Sequence, residues 1–213
     1  MKLLSVLVLL ILSAAAQSPP GHRHSFGDAE KWAHVFDDPE RDAWQKPHEV
    51  IQALALPGDA IVADIGAGTG YFSTRLANML KAGRVYAADL EPAMVKHLAE
   101  RARREGLANL VPVQAAPDSP RLPAKVDLAL VVDVYHHIEA RERYFRGLRK
   151  SLRPGGGVAI IDFRLDSPEG PPVSARIAPE RVKVEMAKAG YVLVAEHGFL
   201  PRQYFLVFRS AGK

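Results

Sequence analysis

Two spacings of apolar residues alternate along most of the chain. Short, nearly continuous apolar runs occur at "AIVADI" (60–65), "RVYAADL" (84–90), "LVPVQA" (110–115), "VDLALVVDV" (126–134) and "GVAIIDF" (157–163). Runs of that length and density predict strands covered on both faces. Between them the apolar positions return every three or four residues. "PHEVIQALAL" groups Val50, Ile51, Leu54 and Leu56, and a second helix runs from near Tyr71 to about Leu80. "EPAMVKHLAERARREG" groups Met94, Val95, Leu98 and Ala102, and "ARERYFRGLRKSL" groups Tyr144, Phe145, Leu148 and Leu152. "PERVKVEMAKAG" opens on Pro179 and closes on Gly190. These patterns predict helices with one buried face. Pro57-Gly58, Gly83, Gly106 and Pro154-Gly155-Gly156 stop the preceding elements. Upstream, "DAEKWAHVF" reads as a short helix and "DDPERDAWQ" as a turn-rich connection. The tail adds two strands, "YVLVAE" and "QYFLVF", with no helix between them.

Strand–helix alternation of this kind predicts an α/β chain with a doubly wound, mostly parallel sheet of seven strands. The last two strands form an antiparallel pair at one edge. The expected architecture is Rossmann-like, and ligands in such sheets bind outside the carboxyl ends of the strands. No internal repeat is visible, and residues 28–213 read as one domain.

The first residues follow another pattern. "MKLLSVLVLLILSAAAQ" has a charged start, an apolar run from Leu3 to Leu12 and an Ala-rich end. This predicts a signal peptide over residues 1–16, cleaved after Ala16, and an exported protein. The alternative is a short uncleaved anchor that attaches the N-terminus to a membrane. Residues 17–27, with Pro19, Pro20 and Gly21, read as a flexible linker. His22 and His24 lie within it and have no acid or thiol partner nearby, so no metal site is assigned.

Composition narrows the chemistry. The 213 residues contain no cysteine, which excludes disulfides, thiolate metal sites and thiol catalysis. The net charge of +4 is too small to imply nucleic acid by itself. "RARRE" and "RERYFRGLRK" sit on helices whose other faces are apolar, so their charges read as solvated faces and no nucleic-acid partner is expected.

The stretch "VADIGAGTGYFSTRLA" (62–77) carries the strongest chemical signal. Gly66, Gly68 and Gly70 allow a tight turn between a strand and a helix. The N–H groups and dipole of that helix suit an anionic group. The dinucleotide fingerprint needs G-x-G-x-x-G, and here Tyr71 holds its last position. Asp89 ends the second strand about 20 residues on, where an acid can bond ribose hydroxyls.

With these residues, the chain from roughly Lys46 onward resembles the class I S-adenosylmethionine-dependent methyltransferases. "VADIGAGTG" is similar to their first motif, "VYAADL" to the acid of their second strand and "LRPGGGVAIIDF" to their fifth-strand stretch. The resemblance implies S-adenosyl-L-methionine as cofactor. It implies that Asp64 and the turn Gly66, Ala67, Gly68, Thr69 and Gly70 hold its methionine part. It further implies that Asp89 holds the ribose, Leu90 packs on the adenine and Asp118 sits near the adenine amino group. No metal is implied.

"VVDVYHHIEA" follows the fourth strand, and Asp133, His136 and His137 are the catalytic candidates. His136 and His137 are candidate general bases, or else one of them caps the next helix or packs on the cofactor. Asp162 and Arg164 are further candidates for substrate contact, or a local ion pair. Trp44, Gln45 and Lys46 read as part of a lid or as simple packing. No Asn/Asp-Pro-Pro-aromatic run follows the fourth strand, which counts against adenine-amine methylation. The expected activity is methyl transfer to a small-molecule acceptor. A cofactor-fold binding or scaffold protein without turnover and a nicotinamide-dependent oxidoreductase are the alternatives.

Overall fold

The computed structural model describes Trp32, Val35 and residues 37–211. The leader, the linker with His22 and His24, and most of the helix expected over 28–36 lie outside the described residues; Trp32 and Val35 are helical. Helices and strands alternate after a short lead-in. They are α1 (Arg41–Gln45), α2 (Pro47–Ala53), β1 (Ile61–Ile65), α3 (Tyr71–Met79), β2 (Arg84–Asp89), α4 (Pro92–Arg104) and β3 (Leu110–Gln114). There follow β4 (Val126–Val132), α5 (Arg141–Leu148), β5 (Leu152–Phe163), α6 (Pro179–Lys188), β6 (Tyr191–His197) and β7 (Gln203–Ser210).

The strands form one sheet in the order β3-β2-β1-β4-β5-β7-β6. Strands β1 to β5 are parallel, and β7 runs antiparallel to both β5 and β6. The expected C-terminal antiparallel pair is present, with β6 at the edge. Strand order reverses between β1 and β4, which opens a crevice at their carboxyl ends.

Strand alternation separates two cores. Val62, Val85, Leu128, Leu130 and Ile161 face α2, α3 and α4, where Ile51, Leu76 and Leu98 are buried. Ala63, Ile65, Val131, Val158 and Ile160 face α5 and α6, where Phe145, Leu148, Val182 and Met186 are buried. Covering both faces explains why these strands read as unbroken apolar runs. Among the described residues no helix is long and apolar enough to cross a membrane.

Three expectations are corrected. "DDPERDAWQ" is not wholly a turn, because residues 41–45 form α1. β4 ends at Val132 rather than at residue 134, because Asp133 takes φ 58°. β5 begins at Leu152, not Gly157. Leu152 pairs with Val126, Gly157 pairs with Leu128, and the residues between them bulge out of the ladder.

Candidate active site

Three segments meet at the crevice: the glycine turn after β1, the end of β2, and the residues after β4. Gly66, Gly68 and Gly70 have φ of 71°, 54° and 96°, a left-handed path closed to most residues. A Cβ on Gly66 would strike the Val134 side chain, so the turn lies directly against the segment after β4.

The backbone of this turn is committed inward. The N–H groups of Gly66 and Ala67 donate to the Ala88 carbonyl at 2.8 and 3.1 Å. Gly70 N–H donates to the Ala67 carbonyl at 2.9 Å, and Gly68 N–H donates to Asp89 Oδ2 at 2.8 Å. The expected anion-binding donors are those of the following helix; the turn's own N–H groups at these four residues are already taken. A pyrophosphate would have to displace β2 to reach those of Gly66, Ala67 and Gly68. Thr69 turns its hydroxyl to Asp37 Oδ1 at 3.2 Å, and its carbonyl accepts from Arg101 at 3.0 Å.

Asp89 is held by two backbone donors, Gly68 N–H on Oδ2 and Glu91 N–H at 2.9 Å on Oδ1. Each carboxylate oxygen has a second lone pair with which to accept a hydroxyl. Burial raises the pKa of Asp89, and the two backbone donors oppose that rise. Leu90 beside it is 51% exposed and offers an apolar surface at the rim. Asp118 is exposed on a tight turn closed by Ala116 and Ser119. Burial raises the Tyr144 phenol, and the Asp118 charge adds to that rise, which places Asp118 on the α5 side of the rim.

Asp64 lies deeper than its expected role requires. It is 3% exposed and accepts from Ser73 Oγ at 2.6 Å. Desolvation pushes its pKa from 3.8 to about 6, against the Ser73 hydrogen bond. Its visible contact ties β1 to α3.

After β4 the left-handed Asp133 turns the chain into a single 3-10 turn, Tyr135–His137. That turn carries His136 across to β5. His136 Nδ1 lies 2.9 Å from both carboxylate oxygens of Asp162, and both side chains are buried. The His136 and Phe163 N–H groups also donate to Asp162, at 3.2 and 2.8 Å. An ionised Asp162 fixes the proton on Nδ1 and leaves Nε2 as the acceptor. Burial lowers the His136 pKa, but the Asp162 hydrogen bond and charge outweigh it, so the net shift is upward. His137 is exposed and lies with its ring 4.1 Å from that of His136. The two expected histidines therefore take different roles, and Asp162 is brought in beside the inner one.

The lead-in supplies Arg41, which the sequence reading passed over, on the same short helix as Trp44 and Gln45. Arg41 Nη2 sits 3.3 Å from Asp133 Oδ2, and Gln203 donates to Asp133 Oδ1. Gln45 donates to Gln203 Oε1 at 2.6 Å and accepts from Arg41 Nε at 2.7 Å. These four bonds close a ring linking α1, β7 and the end of β4. The Arg41 guanidinium also lies 4.1 Å from the centre of the Tyr71 ring. Arg41 and Gln45 are four residues apart on one helix, the spacing that puts both on one face. Trp44 packs on Phe163 at 5.8 Å, and Lys46 Nζ donates to the Phe199 carbonyl at 3.2 Å. Arg164 bonds Asp166 and the carbonyls of Leu200 and Pro201, which commits it to loop packing.

Asp89 and Asp133 thus flank the glycine turn, with Asp64 sealed behind it. Such a site repels a diphosphate and suits a cationic ligand carrying a ribose. S-adenosylmethionine, a sulfonium without phosphate, fits it, and a nicotinamide dinucleotide does not. Among the described residues no group of three or more His, Asp or Glu could hold a metal ion.

Comparison with known proteins agrees with this geometry. Residues 63–158 match the family described as a methyltransferase domain. The erythromycin 3''-O-methyltransferase of Saccharopolyspora erythraea is 28% identical over 141 residues, covering 63% of this chain and 45% of that protein. The protein-L-isoaspartate O-methyltransferase of Aeropyrum pernix is 32% identical over 163 residues, covering 70% and 58%. The chain thus spans about half the length of these relatives. A crystal structure of a SAM-dependent methyltransferase from Aquifex aeolicus superposes with a TM-score of 0.79 at 23% identity, covering 85% of this chain and 98% of that one. That likeness is one of fold.

Proposed function

We propose that this chain, whose residues 63–158 form a methyltransferase domain of the class I S-adenosylmethionine-dependent type, methylates a hydroxyl group of a small-molecule acceptor. The observation that carries this reading is the buried His136–Asp162 pair at the rim of the cofactor crevice. Methyl transfer to a carboxylate needs no proton removed beforehand, whereas a hydroxyl gains from a base near neutral pH. The erythromycin 3''-O-methyltransferase named above is by its name an O-methyltransferase of a small molecule.

Asp89 would hold the ribose hydroxyls and Leu90 would lie against the adenine. When bound, S-adenosylmethionine supplies an activated methyl group on a sulfonium. His136 Nε2 takes the proton of the acceptor hydroxyl, and Asp162 keeps the ring in the accepting tautomer and stabilises its charge. Trp44 and Phe163 form an aromatic wall beside the pair and hold the acceptor in line. Such alignment contributes about 7–11 kcal/mol to methyl transfer.

Calorimetric titration with S-adenosylmethionine, with NADH as control, tests the cofactor. Micromolar binding of the first alone is expected. A screen of hydroxylated acceptors with methyl-labelled cofactor then tests the chemistry. Label found only on nitrogen or carbon would overturn the hydroxyl reading. The leader pattern supports export with cleavage after Ala16, or anchoring by an uncleaved leader. N-terminal sequencing of the protein from its host distinguishes the two.

A further inference from the structure

The parallel sheet sorts charge between its two ends. Helices α3, α4 and α5 each run back from the crevice and deliver the chain to the amino end of the next strand. Residues around those amino ends therefore share one end of the domain, opposite the crevice. Arg84 opens β2, and Arg103 and Arg104 close α4. Lys125 precedes β4, and Lys150 lies where α5 passes into β5. Arg209, near the end of the antiparallel β7, pairs with Gly157 and so joins them. All of these bases are exposed.

Acids do not balance them. Among the described residues the acids around these strand ends are Asp59, Glu105 and Asp127. Glu105 is paired with Arg101 at 2.8 Å and Asp127 with Arg153 at 2.9 Å. The side chains of Arg84, Arg103, Arg104, Lys125 and Lys150 make no hydrogen bond or ion pair with a described residue. Arg209 donates to the Gly155 carbonyl and has no carboxylate partner among the described residues. Helix dipoles favour bases at a helix carboxyl end, which accounts for Arg103 and Arg104. They do not account for Arg84, Lys125 or Arg209, which stand at strand ends. Neighbouring strands lie about 4.8 Å apart, so the bases spread over about 24 Å from β3 to β7.

Unpaired cations spread across one end suit an extended anionic surface, whereas a small anion needs donors converging on one point. The leader says which surface. Whether it is cleaved during export or kept as an anchor, it brings this chain to a membrane. Its apolar run, Leu3 to Leu12, is shorter than the about 20 residues that span a bilayer. A single short anchor holds weakly, and a polybasic patch is the second attraction that makes such binding stable. We propose that the amino end of the sheet docks on an anionic lipid bilayer. The crevice, with Asp89 and Asp133, then faces away from the lipid and opens to water.

The test is a titration of the full-length protein with vesicles of phosphatidylcholine alone and of phosphatidylcholine mixed with phosphatidylglycerol. At about 0.1 M salt the mixed vesicles should bind at least about 100-fold more tightly, and at about 1 M salt that preference should vanish. Each base near such a surface is worth about fivefold, so Arg84→Gln, Lys125→Gln and Lys150→Gln together should lower the preference by about 100-fold. Binding to the neutral vesicles reports the leader and should not change. Lys96→Gln, Arg143→Gln and Lys183→Gln remove the same charge from the first two turns of α4, α5 and α6, at the crevice end. That control should lower the preference by less than about threefold. Equal loss from the two triple variants would reduce the effect to net charge and overturn the docking face. Wild-type protein without preference for the mixed vesicles would overturn it as well. Duplex DNA that displaces the protein from them at equal phosphate concentration would assign the face to nucleic acid instead.

Discussion

His136 Nδ1 is equidistant, at 2.9 Å, from the two carboxylate oxygens of Asp162. The contact crosses from the turn after β4 to the end of β5, so the sheet itself sets it. Asp162→Asn removes the charge and leaves burial to act on the ring. The His136 pKa, now above its ordinary value, should fall. The acidic limb of the kcat profile should therefore move to lower pH. The plateau should drop by on the order of 10²-fold, because the ring loses its fixed tautomer. Profiles from pH 5 to 9 for both proteins check this. An unmoved limb would remove His136 from the chemistry.

Asp89 carries the ribose contact. Asp89→Ala also frees the Gly68 N–H, so the turn loses one of its ties to β2. Affinity for S-adenosylmethionine should fall by about 10- to 100-fold. Calorimetry on a variant with wild-type circular dichroism measures it.

Asp64 is a stability liability. Its folded pKa of about 6 lies above the ordinary 3.8, so the ionised form is disfavoured in the fold. Between those values the unfolded chain releases the proton more readily, and stability declines as pH rises. Asp64→Asn keeps an acceptor for Ser73 Oγ and removes the buried charge. It should stabilise the protein by about 2–3 kcal/mol at pH 8 and by little below pH 4. Denaturant unfolding at the two pH values tests both parts.

Glu185 has the opposite sign. It accepts from Tyr135 Oη at 2.7 Å, Arg141 Nε at 2.6 Å and Arg181 Nε at 2.8 Å. Burial raises its pKa, but these donors outweigh it and bring the value from 4.5 to about 2. Its stabilisation is present above pH 4.5 and is lost as pH falls through 2. Glu185→Gln should cost about 2–4 kcal/mol at pH 7, because two guanidinium groups lose their counterion. The difference from wild type should shrink as pH drops below 4.5 in the same unfolding assay.

Much of this protein is legible one segment at a time. Apolar runs and helical spacings are local properties, and they placed all seven strands, the helices that cover them and the antiparallel tail. The glycine turn and the acid at the end of β2 were equally visible, because the tight turn and the strand end depend on residues close in sequence. His136 stood out because it follows a buried strand at the carboxyl edge.

Tertiary structure alone decided what those groups do. Asp64 looks like a ligand contact in sequence, and burial seals it under α3. The glycine turn is legible as a turn, but only the fold shows that the N–H groups of Gly66, Ala67 and Gly68 bond to Ala88 and Asp89 of the neighbouring strand β2. Asp133 reads as a catalytic candidate, and it is paired by Arg41 from 92 residues upstream and by Gln203 from 70 residues downstream. Arg41 was the least visible of all. Its i,i+4 spacing to Gln45 hints at a shared helix face, but no local pattern says what that face meets. Hydrophobic periodicity reports which face of an element is buried, whereas a polar contact between distant segments depends on how the whole sheet is ordered and twisted.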